Sequence, residues 1–303
     1  MQFLAAYIMK GRFQAMTVAS ALALLSLAFP PASIVSSASL ALVTLRRGGT
    51  EGLYVLLSSC LAAAVLSIFL KIGYQFALLY GLVLWTPIWL ISIVLREGRN
   101  LGVALEIAVF LGVVAVLGFY LYQAQPAQVW RGVLEAMMQP MLQAKPDVSV
   151  EQVKHSIQVF AHFMTGAIAA GSVYGLLFGL LLARWWQAAL YNPGGFRSEF
   201  LALRGHAKFA IVTILLVAVA ALSSGVLAEI CWNMVLVLLV LYTFIGTATL
   251  HACFAIMKGS RFMVPLLYLT LVMIPHVMVV VGLFGLTDNW LDLRKKISNS
   301  TAG

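Results

Sequence analysis

Uninterrupted apolar runs of about 20 residues recur from one end of this chain to the other. That is the length a helix needs to cross a hydrocarbon core of about 30 Å. The runs fall at roughly 13–29, 33–46, 52–70, 75–96, 101–123, 157–183, 207–228, 231–257 and 262–286. The second is the shortest, at about 14 residues, and reads as a partial or tilted insertion. The pattern predicts an all-α polytopic membrane bundle with eight or nine transmembrane segments. A barrel is ruled out because barrel strands alternate apolar and polar residues, and these runs do not.

Composition agrees. Of 303 residues, 62% are hydrophobic and 10% charged, where soluble domains carry about 25% charged residues. Too little polar surface is left to cover a water-exposed body, so residues 1–303 read as one integral membrane domain in contact with a lipid bilayer. The net charge of +9 sits in short loops between runs and reads as an orientation signal. No basic stripe or motif points to nucleic acid. Cys60, Cys231 and Cys253 lie within or at the ends of apolar runs, with no CxxC pair, and read as packing residues. Lys10 and Arg12 before the first run, and small residues after Pro30-Pro31, imitate a signal peptide. Further spans follow, so a retained first helix is expected.

If all nine runs cross, Lys10, Arg12, Arg46, Arg47, Arg96, Arg99, the 184–206 loop, Lys258 and Arg261 share one side. Lys71, the long 124–156 segment and Glu229 share the other. The first side is the more basic, so it is expected to be cytoplasmic, with the N-terminus there, in a bacterial inner membrane. The polar tail 287–303 breaks the pattern, because Arg294, Lys295 and Lys296 would then lie outside. The side of the C-terminus therefore stays open.

The 124–156 segment places Val129, Trp130, Val133, Leu134, Met137, Met138, Met141 and Leu142 at helical spacing, predicting an amphipathic extracytoplasmic helix that Pro140 kinks or ends. Ser149 with Gln152 three residues on predicts a helix start that runs into the sixth span. Polar residues inside apolar runs are expensive and are functional candidates by default. On the outer side these are Tyr80, Trp85, His155, Gln158, His162, Glu229, Asn233 and His276. His155, Gln158 and His162 share one helical face. A pocket for a small polar solute is one reading, and solvated or helix-bridging positions are the other. A metal shared by His155 and His162 is disfavoured, because seven residues separate them by about 10 Å along a helix. Glu106 sits nearer the cytoplasmic side, where it could pair with Arg96 or Arg99.

Gly171, Gly175 and Gly179 recur every fourth residue, as do Ala15, Ala19 and Ala23. Both patterns suit close approach by another helix, within the chain or from a partner. Trp185 and Trp186 fit the membrane interface. Asn192-Pro193-Gly194-Gly195 predicts a sharp turn, with Tyr191 and Phe196 available for docking. No GxSxG, HExxH or phosphate-cradling loop is present, so neither catalysis nor a bound cofactor or metal is expected, and ATP-driven work would need a separate ATPase.

Trp185-Trp186, Tyr191-Asn-Pro-Gly-Gly-Phe196 and Asp288-Asn-Trp290-Leu-Asp292-Leu-Arg294 resemble the YybS-like predicted inner-membrane proteins of bacteria. Pro30-Pro31, Arg46-Arg47-Gly48-Gly49 and Gly52 are distantly similar to the front of the substrate-binding S components of energy-coupling factor importers. That second likeness implies a solute taken from the outer face and docking on a coupling membrane subunit through an alanine ridge such as Ala15, Ala19 and Ala23. The alternative is a non-transport scaffold or envelope-assembly factor acting through the 184–208 loop.

Overall fold

The computed structural model describes residues 2–144, 149–257 and 260–302. All regular elements among them are helical. In order they are α1 (Gln2–Ile8), α2 (Arg12–Leu25), α3 (Ala32–Arg47), α4 (Gly49–Phe69), α5 (Gln75–Tyr80), a π-turn (Gly81–Trp85), α6 (Thr86–Gly98), α7 (Leu101–Tyr122), α8 (Pro126–Ala144), α9 (Val150–Ala161), α10 (Met164–Tyr191), α11 (Gly195–Leu201), α12 (Ala207–Leu222), α13 (Gly225–Ile256), α14 (Ser260–Met273), α15 (Val277–Leu291) and α16 (Leu293–Ala302). Among the described residues, five helices are long and apolar enough to cross a membrane. These are α4, the continuous α5–π–α6 unit, α7, α10 and α13.

The short second run is the centre of the N-terminal half. Every residue of α3 from Ser36 to Leu45 is buried. Its serines and threonines permit this. Ser39 and Thr44 return their hydroxyls to carbonyls four residues back, and Ser36 donates to Ala19 O at 2.7 Å while accepting from Trp85 Nε1 at 3.1 Å. With no large side chain on this face, α2 and α10 approach α3 closely. A Cβ on Gly179 would stand 3.0 Å from that of Ser37.

One end of the bundle gathers the basic loops. Arg12 pairs with Glu51, and Arg47 reaches Met9 O. Arg96 and Gln187 both donate to Leu45 O. These bonds bring the α1–α2 corner, the α3–α4 corner and the ends of α6 and α10 to one face. The α3–α4 corner is a single residue, Gly48, at φ 106°, a backbone shape that favours glycine.

Pro140 lies inside α8, which runs on to Ala144, so of the two expected effects it does not end the helix. The side chains of Met141 and Leu142 lie outside the described residues. The structure departs from the sequence pattern in two places. The helix begun at Ser149 does not run on into the sixth span, because it breaks after Ala161 and α10 starts at Met164. The last run is two helices, not one. Pro275, which lacks an N–H, lies in the turn between α14 and α15. Each is 14–15 residues, or about 22 Å long, short of the hydrocarbon thickness. α15 runs alongside α13 in the same direction, with Thr243 bonded to Met278 O and, further along, Thr249 bonded to Asp288. The tail follows it back to the basic face. There Arg294 donates to Leu201 O, Leu203 O and Thr249 Oγ1, and Arg204 pairs with Asp292 at 2.7 Å.

Candidate functional site

At the end opposite the basic loops, the break between α9 and α10 meets α7, α8 and α13. An unbroken helix would bond the Gly166 N–H to the His162 carbonyl. Here Asn233 of α13 stands between them. Its Oδ1 accepts from Gly166 N, and its Nδ2 donates to His162 O at 2.7 Å. A side-chain amide carries the same donor and acceptor as a peptide, so both backbone groups are satisfied although the ladder is interrupted. Asn233 is fully buried, and its Nδ2 also lies within 3.1 Å of Tyr120 Oη and 2.8 Å of Glu229 O.

Glu229 lies one turn before Asn233 on the same face of α13. Its carboxylate accepts from Tyr120 Oη at 2.6 Å and meets His162 Nδ1 at 2.6 Å. The Glu229 side chain is only 15% exposed, whereas that of His162 is 47% exposed. The cluster is therefore a half-buried acid beside an exposed imidazole. Above it, Trp130 of α8 donates to Thr165 Oγ1 at 2.8 Å, closing one side. Glu229 and His162 supply two donor groups for an ion. Among the described residues no three His, Cys, Asp or Glu side chains gather to hold a metal. The arrangement offers a polar solute both donors and acceptors at the edge of an apolar bundle.

Of the sequence candidates, His162 and Asn233 come together here with Glu229. His155 and Gln158 are exposed on α9, and no hydrogen bond among the described residues joins them to the cluster. Tyr80 and Trp85 lie elsewhere, packed on each other at 5.0 Å across the π-turn, with Trp85 bonded to Ser36 of α3. His276 is exposed in the α14–α15 turn. The alanine ridge Ala15, Ala19 and Ala23 is fully buried within the chain, on the α2 face where Ser36 of α3 bonds to Ala19 O. Gly179 packs on α3, whereas Gly171 and Gly175 face open space. Sequence reasoning missed Tyr120 and Thr165, whose only signal is a hydroxyl near the end of an apolar run.

The basic face is also built, not loose. Gly194 takes φ 87° in the turn after Asn192 and Pro193, and α11 follows with Phe196 stacked near Phe200. Arg46 lies 4.0 Å over the Tyr191 ring, and Arg184 forks onto Glu199. Trp185 is partly exposed while Trp186 is fully buried, because adjacent helical positions point about 100° apart. Glu106 pairs with His206 at 2.7 Å and not with Arg96 or Arg99. Asp288 is buried, with Arg294 Nε 3.6 Å away.

No family model, curated protein or solved structure matches this chain. Its membrane character rests on the apolar helices.

Proposed function

We propose that this protein binds a small polar solute at the Tyr120–His162–Glu229–Asn233 cluster and takes part in its transport from the face opposite the basic loops. The observation that carries the reading is the convergence of a half-buried carboxylate, an exposed imidazole and a buried amide on an interrupted helix. Ionisable side chains inside a membrane are costly, and discontinuous helices there characteristically line binding sites. The work is binding and passage, not bond-making. With Ala15, Ala19 and Ala23 turned inward, a coupling subunit with its ATPase would dock on another face than that ridge.

The same reading gives eight crossings: α2, α3, α4, α5–α6, α7, α10, α12 and α13. Of these α2, α3 and α12 are also short, at 14–16 residues, so the α14–α15 hairpin is set apart by the return of the tail to the basic face and not by helix length. The α14–α15 hairpin enters from the basic face and returns to it. Both termini then lie with the basic loops, cytoplasmic in a bacterial inner membrane of YybS-like kind, and the charges of the tail no longer conflict with the rest. A second reading, a scaffold working through 184–208, is favoured by the bonds that hold that loop, Arg184 to Glu199 and Arg294 to Leu201 and Leu203.

Native mass spectrometry on gently extracted wild type and Glu229→Gln decides between them. Transport predicts a small polar molecule retained by the wild type and lost from the variant. Equal retention by both, or by neither, with a protein partner bound instead, overturns it.

A further inference from the structure

A long apolar groove runs along α10, bordered by Ile34 of α3 and by α13 and α14, and shares no lining residue with the Glu229 cluster. Its volume is about 1120 Å³, above the usual 300–1,000 Å³ of small-ligand pockets. Its floor is aromatic, with Tyr174, Phe178 and Phe244 in mutual ring contact, and Tyr268 and Leu271 of α14 form the far wall. From Tyr174 to Ala189 the groove follows 15 residues of α10, about 22 Å, more than half the depth of a hydrocarbon core.

Two observations at its basic-face end point to a ligand with a polar head. Arg197 is exposed there, and among the described residues no carboxylate lines the groove. His251 of α13 lies between the rings of Phe200 and Tyr268. Its Nε2 is buried without a hydrogen-bond partner among the described residues, although buried polar atoms are ordinarily satisfied. Phe200 is one turn beyond Arg197 in α11, so the cation and the unsatisfied imidazole flank the same mouth. A water-soluble ligand would waste the apolar length, and a neutral hydrocarbon would leave both polar groups unanswered.

We propose that this groove seats the hydrocarbon chain of an anionic phospholipid from the basic-side leaflet. Its headgroup is held by Arg197, and one of its oxygens meets His251 Nε2. The site is separate from the solute cluster and does not depend on it.

The test uses the full chain in nanodiscs of equimolar phosphatidylglycerol and phosphatidylcholine, re-extracted gently, with retained lipids counted by native mass spectrometry. The wild type is expected to keep one phosphatidylglycerol in preference to phosphatidylcholine. Arg197→Gln, a change at an exposed side chain, should lower that preference about fivefold with the melting temperature unchanged. Ala189→Trp, which fills the groove, should release the lipid. Equal retention of both lipids by the wild type, an unchanged preference in Arg197→Gln, or a polypeptide found in place of lipid overturns the proposal. If Ala189→Trp does not fold, the Arg197→Gln preference alone decides.

Discussion

The amide nitrogen of Gly166 in α10 finds its acceptor on Asn233 of α13, 67 positions further along the chain. One side chain thus both breaks a helix and closes the break, and it also binds Tyr120 Oη and Glu229 O. Asn233→Leu leaves the His162 carbonyl and the Gly166 amide without their side-chain partner at a fully buried position. A loss of about 2–4 kcal/mol is expected, seen as a lower thermal midpoint in detergent together with loss of the retained solute. Gly166→Ala should act likewise, because a Cβ there would strike the Asn233 backbone.

At Gly246 and Gly285, α13 and α15 touch backbone to backbone. A Cβ on Gly246 would collide with Val281 O, and one on Gly285 with Tyr242 O. Either change to alanine should cost about 1–3 kcal/mol or more by overpacking. Gly171→Ala and Gly175→Ala meet open space and should be neutral or slightly stabilising, since alanine is the better helix former. Thermal unfolding of the four variants separates the two groups, and a destabilised Gly171→Ala contradicts the packing described.

Arg294 holds two loop carbonyls and stands beside buried Asp288. Removing one partner of such a pair strands the other charge at a cost of about 3–5 kcal/mol. Arg294→Met should therefore release the tail to limited proteolysis, and adding Asp288→Leu should restore part of the protection. Full protection in the single variant would mean the pair does not tether the tail.

The neighbouring tether responds to pH in a defined direction. The hydrogen bond from Arg204 holds the Asp292 carboxyl below its ordinary value; desolvation opposes it, and the charges of Arg204 and Lys295 and a backbone bond from Lys295 add to it. A lowered folded value stabilises above the unfolded value of about 3.9 and is lost as pH falls through the folded one. Tail protection should therefore not change through this pair between pH 5 and 8, and Arg204→Gln should lower it equally across that range. A transition near pH 6 that vanishes in Arg204→Gln would contradict this.

The hairpin topology predicts that Lys296→Cys and Arg197→Cys, in a chain without Cys60, Cys231 and Cys253, react with an impermeant maleimide from the same side of the membrane. Arg131→Cys should react from the other. Labelling of Lys296→Cys together with Arg131→Cys would make α14 and α15 a crossing.

The candidate site was half legible. His162, Glu229 and Asn233 stand out because a polar group in an apolar run is costly wherever it lies. Nothing in the sequence around Tyr120 separates it from Tyr122, which is highly exposed, and the distinction comes from α7 presenting one and not the other to α13. The small-residue repeats were legible as packing faces, but which element covers them was not. Spacing shows that Gly171 and Gly179 share a helix face, but not that α3 covers only the lower part of it.

What the sequence determined by itself is local: where helices form, that they are apolar enough for a bilayer, and which loops are basic. Those follow from run length and charge, properties of neighbouring residues. The tertiary structure decided what depends on helix order. It made the short α3 a buried centre, folded the last run into a hairpin that returns the tail to the basic face, and set Asn233 into the gap between His162 and Gly166. In a bundle of similarly apolar helices the hydrophobic effect does not choose neighbours. That choice falls to close packing of small residues and to a few buried hydrogen bonds whose partners lie scores of residues apart.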